Sequence, residues 1–512
     1  MLGGNVPFLH VILGPAGPTL QGMSSQCLGQ TTLPEALQTG NDIFAEWQWD
    51  GNQAIVRNCR FGFFPIFYYA KDNEFGVSPS VEQLLECGAP PDLDDAALAT
   101  FLRLGFHLGE DTVFRAIRAV PPGGEVRWNG GEAKVTGGYM FPQSQNLSRK
   151  SAIDGYGELF RQAVRRRTSR EVRFGHPLSG GRDSRHILLE LNALECQPEA
   201  CFTTHDFPPY RVENIRVAGL LTERLGIPQH VFGQPGSRVV VETRKNSITS
   251  YGAMEHAWGM AFYRNVARHT SIVYDGLAGD ALSASTYLNR DHVSLFEQNR
   301  VEELAEQLLG RWLSRPGYED ALARILTGEA TRRFTRELAV ERVAKELIRH
   351  TAAVIPLSSF NFWNRIRRGT ATIPFSILPA AGIKAVTPYL DHDLFEFLAS
   401  LPADMFMDKT FHTETIQRMY PEFNDIPYDG DRKTPLIESN WHYRRLFVEI
   451  SAYLAVNGRS WLVRKGPTVR RLLALVASRE GNLRMRMSWI TPFTVLYMTQ
   501  LEKVCSRFHP TK

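Results

Sequence analysis

The sequence predicts two parts: a β-rich first third, then an α/β doubly wound parallel-sheet domain with a helical C-terminal part. Three observations carry that fold class. Up to about residue 145, short apolar runs are separated by Gly, Asn, Asp and Pro, the pattern of short strands joined by turns. From residue 151, strand-like runs alternate with amphipathic helical runs, as in a parallel sheet whose crossover helices cover both faces. From 301 to 512 the pattern is mostly helical. A chain of 512 residues also exceeds what one hydrophobic core organises, so two domains are expected, at 1–145 and 151–512.

In chain order, strands are predicted over 8–13, 43–49, 54–56, 61–69 and 125–128, where apolar residues cluster between turn residues. Helices interrupt them over 80–87 and 95–104, and the polar stretch 142–150 reads as a linker. Ile153, Tyr156, Phe160 and Val164 recur at three- and four-residue steps, so 152–167 is a predicted amphipathic helix. A strand over 172–178, a glycine loop and a helix over 183–194 come next. They are followed by a strand at 200–204, a helix at 212–225, a short strand at 230–232 and another at 271–274.

Bulk composition narrows the function classes. The 58 basic and 54 acidic residues nearly cancel, leaving a net charge of +4; the chain as a whole carries no signature of a nucleic-acid partner. Its six cysteines show no C-x-x-C spacing, which argues against a zinc site or disulfide framework and for a reducing cytoplasm. No apolar run approaches the roughly 18–20 residues of a membrane span, and the N-terminus lacks the basic region of a signal peptide. A cytoplasmic protein without a membrane span is expected.

The chemistry concentrates in His176-Pro-Leu-Ser-Gly-Gly-Arg-Asp-Ser-Arg185. A glycine loop between a strand and a helix brings backbone N–H groups close to an anion, so phosphate is its natural guest. No Walker A string G-x-x-x-x-G-K-[ST] occurs, and Asp183 stands near where the lysine would be. An acid beside phosphate makes sense with a divalent cation between them, because Mg²⁺ takes one or two carboxylates plus phosphate oxygens. The loop is therefore expected to hold the pyrophosphate of a Mg-nucleotide. A second strand end, Asp275-Gly-Leu-Ala-Gly-Asp280, would open on the same sheet edge and bring Asp280 towards Asp183. Later come Pro388-Tyr-Leu-Asp391, Lys409 and Asp431-Arg-Lys-Thr-Pro435.

Ser179-Gly-Gly-Arg-Asp-Ser184 resembles the S-G-G-x-D-S loop of N-type ATP pyrophosphatases, and the order of the later motifs is similar to the synthetase domain of the asparagine synthetase family. Residues 41–69 and 76–85 resemble later strands of that family's glutaminase domain, so the likeness covers most of 40–435. The resemblance implies an Ntn-hydrolase-like α+β sandwich, then an adenine nucleotide α-hydrolase-like (PP-loop) domain using ATP and Mg²⁺. By resemblance Ser179, Gly180, Gly181, Asp183 and Ser184 bind pyrophosphate, Gly276 lies near the adenosine, Asp183 and Asp280 hold Mg²⁺, and Lys433 and Asp280 are catalytic. Lys409 is a second candidate for the site of Lys433, Arg182 and Arg185 are candidates to contact phosphate or a substrate carboxylate (a solvated first-turn residue being the other reading of Arg185), and His205 is a candidate to shape the substrate pocket.

Departures from the family shape the functional expectation. Leu2 follows Met1, the first cysteine is Cys27, and no N-G-E string occurs. The first domain is accordingly expected to be a degenerate glutamine amidotransferase-like domain without glutaminase chemistry. The amine would then be free ammonia or carried by the substrate, as in the β-lactam synthetases and lasso-peptide cyclases that the chain resembles in layout. Leu277 replaces the tyrosine of the β-lactam branch, Ala278 the second loop glycine, and Ala281 the glutamate of asparagine synthetases. The expected function is an ATP- and Mg²⁺-dependent ligase that adenylates the carboxylate of a small molecule or peptide and couples it to an amine, with a lasso-type macrolactam as one product. That reading admits a leader-peptide-binding or protease partner protein. A non-catalytic nucleotide-binding scaffold and an ammonia-using amidotransferase are the alternatives.

Overall fold

The structure, a computed structural model, describes residues 6–208, 210–284, 287–311, 317–431, 434–437, 439–456, 460–477 and 490–509. Its first part contains β1 (Leu9–Gly14), β2 (Gly17–Gly22), β3 (Ser25–Gly29), β4 (Phe44–Trp49), β5 (Ala54–Asn58), β6 (Phe67–Lys71), β7 (Glu74–Ser78), β8 (Arg118–Ala119), β9 (Glu125–Trp128) and β10 (Lys134–Thr136). They form two five-stranded antiparallel sheets, ordered β2-β1-β7-β6-β8 and β10-β9-β5-β4-β3. Alternation along each strand assigns the faces. Leu9, Val11, Phe75 and Val77 of one sheet meet Ala45, Trp47, Val56 and Trp128 of the other in a single core, and Phe75 stacks on Trp128 with ring centroids 5.4 Å apart. Phe67 and Tyr69 point the other way, under helices α1 (Val81–Glu86) and α2 (Asp95–Leu104). Ser80 and Asp94 cap these helices through side-chain acceptors.

The apolar run 61–69 is strand only from Phe67. Gly62 turns the chain at φ +61°, and Phe61 and Phe63 instead pack edge-on or tilted against Phe395 and Phe362 of the second part, at 4.9 and 5.1 Å. Apolar character there serves contact between the two parts. β2, exposed at every residue, carries no alternation and is not foreseen from sequence.

The second part begins with α3 (Arg149–Arg165), then β11 (His176–Pro177), α4 (Arg182–Ala193), β12 (Cys201–Thr204), α5 (Glu213–Leu225), β13 (Gln229–Phe232), β14 (Ile272–Tyr274), α6 (Gly279–Ser283) and β15 (Lys384–Val386). β11-β12-β13 and β14-β15 are parallel, and a parallel bridge between Gly175 and Val273 joins the two sets. The order β13-β12-β11-β14-β15 runs outward from β11 and then returns to its other side. The crevice between β11 and β14 is thus the topological switch point, where open α/β sheets bind ligands. β11 is shorter than the predicted 172–178. It starts only at His176, and hydrogen bonds from the Gly175 N–H to the Ile272 carbonyl and from the Leu178 N–H to the Phe202 carbonyl extend the contact on either side.

Beyond the sheet the chain is mostly helical and includes two π-helical stretches, Asn361–Thr370 and Ile373–Ile377, a rare form. Among the described residues no helix is long and apolar enough to cross a membrane.

Candidate active site at the sheet switch point

Five of the residues singled out from the sequence, Ser179, Asp183, Ser184, Gly276 and Asp280, line one cleft. A cavity of about 480 Å³ opens over the carboxyl ends of β11, β12 and β14, lined by Ser179, Asp183, Ser184, Asp206, Gly276 and Asp280, among others. Ser179 and Ser184 lock the first loop across its neck. The Ser179 N–H donates to Ser184 Oγ at 3.0 Å, and the two hydroxyls lie 3.1 Å apart. The Gly181 N–H donates to Ser179 Oγ, while the Gly180 N–H turns away to Asn214 Oδ1 on α5. Behind the loop, His176 lies with Nε2 2.8 Å from the Ser184 carbonyl. Burial keeps this imidazole neutral, with its pKa lowered to about 4, so it serves the strand and loop and stays out of the cleft.

Two glycines let the second loop lie directly on Asp183. A Cβ on Gly276 would stand 2.9 Å from Asp183 Cβ, and one on Gly279 only 2.6 Å from Asp183 Cγ. Through this close approach the Asp280 N–H, in the first turn of α6, donates to Asp183 Oδ2 at 3.2 Å. Burial and the neighbouring Asp280 push the Asp183 carboxyl well up. Burial also raises Asp280, against the opposing pull of Arg365, and brings Asp275 up to about 6. Such crowding of acids favours protons or a cation between them.

Among the described residues no group of three or more His, Cys, Asp and Glu side chains could hold a metal by itself. Two oxygen donors beside a phosphate-sized loop nevertheless suit Mg²⁺, which takes few protein carboxylates and completes its shell with phosphate and water. Asp183 and Asp280 would hold it.

The site also includes residues to which the sequence assigned no individual role. His412, on α7 (Phe411–Met419), brings Nδ1 within 3.5 Å of Asp183 and 3.0 Å of Ser283 Oγ; burial and Arg182 lower its pKa to about 3. It stands beside the carboxylate as a neutral ring, with Ser283 as the hydrogen-bond partner of Nδ1. Tyr389, inside the Pro-Tyr-Leu-Asp string, donates its hydroxyl to the Asp183 carbonyl at 3.2 Å, and the neighbouring Asp391 is buried against Arg166 and Arg167. The π-helix supplies Arg365, Ile366 and Thr370 to the cleft wall.

Not every sequence candidate joins the cleft. Lys409 donates to the carbonyls of Ala284 and Leu288 at 2.7 and 2.8 Å, clamping the chain that leaves α6. His205 packs edge-on to Tyr210, which bridges to Ile437. Lys433 lies outside the described residues. Ala281 faces away from the cleft, into an apolar cavity it shares with Phe362, Trp363, Phe395 and Leu398. The space behind α6 is thus mainly apolar, with Ser358 and Ser359 as its polar lining residues.

The model of the asparagine synthase family matches residues 155–422, just over half the chain, and that of a glutamine amidotransferase domain matches residues 28–140. No curated protein matches the chain.

Proposed function

We propose that this chain, which belongs to the asparagine synthase family, uses its cleft to adenylate a substrate carboxylate and then transfer the acyl group to an amine. In the first step a carboxylate oxygen attacks the α-phosphorus of ATP and the α–β phosphoanhydride bond breaks, releasing pyrophosphate. In the second the amine nitrogen attacks the acyl carbon, the bond to AMP breaks, and the amine gives up a proton. The observation that carries this reading is the contact of Asp183 with the Asp280 amide at the switch point, directly above the Ser179–Ser184 loop. That loop would receive the leaving pyrophosphate on the first amides of α4. Mg²⁺, when bound, would neutralise charge building on the phosphate oxygens. Lys433, assigned from sequence alone, would offer a second positive charge to the same oxygens, worth roughly 10²–10³ in rate for a positioned donor.

The first domain, in this reading degenerate, shapes the cleft and supplies no ammonia from glutamine, so the amine is free ammonia or belongs to the substrate. A cytoplasmic location and a peptide-binding or protease partner belong to the same reading. ATP–pyrophosphate exchange with a panel of acids and peptides tests it. Asp183→Asn and Lys433→Ala should abolish exchange, and turnover surviving both changes would show the site assignment to be wrong. Product mass separates the two amines. Ring closure removes the elements of water, whereas ammonia replaces the acid hydroxyl by an amino group.

A further inference from the structure

Arg182 and Arg185 flank the metal-facing acid, yet the chemistry above leaves both without a task. Arg185 sits in the first turn of α4 and is only 1% exposed. Its Nη1 donates to the Ile426 carbonyl at 2.9 Å and Nη2 to the Pro427 carbonyl. Its guanidinium carbon lies 3.9 Å from the centre of the Tyr428 ring, and that of Arg182 lies 4.9 Å from the same ring. The segment they grip folds straight onto the phosphate loop. Tyr428 N–H donates to Asp431 Oδ2 at 2.8 Å, and Asp429 N–H donates to the Gly180 carbonyl at 3.0 Å. There is no slack in that contact, because a Cβ on Gly180 would stand 2.7 Å from Asp429 Cβ. With its N–H on Asn214, Gly180 is held from both sides.

We propose that Arg185 is a positioning residue: through Ile426, Pro427 and Tyr428 it seats Asp429 on Gly180 and so sets the phosphate loop from behind. The inference rests on the loop holding pyrophosphate. Burying a guanidinium is costly unless it is well paired, and a methionine would fill much of the same space. What methionine lacks is the planar fork that serves two carbonyls at once while stacking on a ring. Lysine keeps the charge but neither the fork nor the stack. Arg182, part-exposed with Nε on Thr413, stands over the same ring from the start of the helix.

The test uses the full chain, with Mg·pyrophosphate as the probe and adenosine, which has no phosphate, as the control. Arg185→Met and Tyr428→Leu should weaken Mg·pyrophosphate binding by about tenfold or more, the usual effect of losing an outer-shell support. Binding stoichiometry and adenosine affinity should not change. Arg185→Lys should fall nearer the methionine variant than the wild type. Wild-type pyrophosphate affinity in Arg185→Met overturns the proposal, as does reduced stoichiometry with unchanged affinity, the mark of a purely structural role. A wild-type protein that fails to bind Mg·pyrophosphate sinks the functional reading instead. Hydrogen exchange at the Asp429 amide then decides the clamp: faster exchange in Arg185→Met supports it, and equal exchange overturns it.

Discussion

Replacing Gly279 by alanine probes the contact on which the cleft depends. The residue is not at positive φ, so an alanine backbone is allowed there, and helix propensity alone would favour the change by up to about 1 kcal/mol. Space opposes it. The new Cβ would stand 2.6 Å from Asp183 Cγ, 2.7 Å from its Oδ1 and 2.9 Å from Tyr389 Cζ, where carbon contacts prefer roughly 3.5–4.0 Å. Tyr389 is fully buried and cannot retreat, so Asp183 must shift by about 1 Å from its place on the Asp280 amide. Overpacking of this kind costs about 1–3 kcal/mol, enough to outweigh the propensity gain. A similar misplacement at a reacting centre costs on the order of 10²-fold in function. Thermal unfolding should therefore fall, and Mg·pyrophosphate affinity with it. Gly310→Ala is the control, since Gly310 lies on a helix with nothing within 4 Å of a new Cβ; it should be neutral or stabilising. A Gly279→Ala protein that melts higher and keeps its affinity would refute the reasoning.

Three further changes follow from the same structure. Ala281→Glu should lower the melting temperature by more than an average substitution's ~1 kcal/mol without raising pyrophosphate release, because the new acid would enter the cavity of about 40 Å³ walled by aromatic rings; gained activity would contradict this. Glu346→Ala should cost about 3 kcal/mol in denaturation, since its buried carboxylate accepts from Tyr139 and pairs with Arg342 and Arg349, which would each lose one of their acidic partners and keep Asp111 and Glu110. Burial alone would raise the Glu346 carboxyl, but His350 and the two arginines hold it below the usual carboxylate range; its stabilisation is present above the unfolded pKa and lost as pH falls, and equal acid sensitivity in the variant would count against it. Asp275→Asn acts in the opposite direction: burial raises Asp275 from 3.8 to about 6, so the metal-free folded protein loses stability as pH rises through that window, by up to about 2–3 kcal/mol. The asparagine variant should match the wild type near pH 4 and exceed it at neutral pH in unfolding measured with a chelator, and matching curves at both ends would rule this out.

The sequence was most legible where short-range chemistry leaves a local mark. Residues 95–104 form the predicted helix because Asp94 caps it and its apolar residues recur at helical spacing. The strand–loop–helix around Ser179–Ser184 is equally clear, since glycines and small hydroxyls at a strand end have few other uses. Legibility failed where a residue's role depends on something distant in the chain. The run 61–69 is apolar because it touches Phe362 and Phe395, and β15 becomes a strand only because β14 is there to pair with it.

By itself, then, the sequence determined the two-part plan, the alternating strands and helices of the second part, and the two acidic glycine loops, because periodicity and turn chemistry are local. Tertiary structure alone decided which groups meet. It laid Gly279 on Asp183, brought His412 beside that carboxylate, turned Ala281 away from the cleft, and set Arg185 against a segment some 240 positions further on. Those contacts arise from close packing between elements remote in the chain, and no local spacing of residues encodes them.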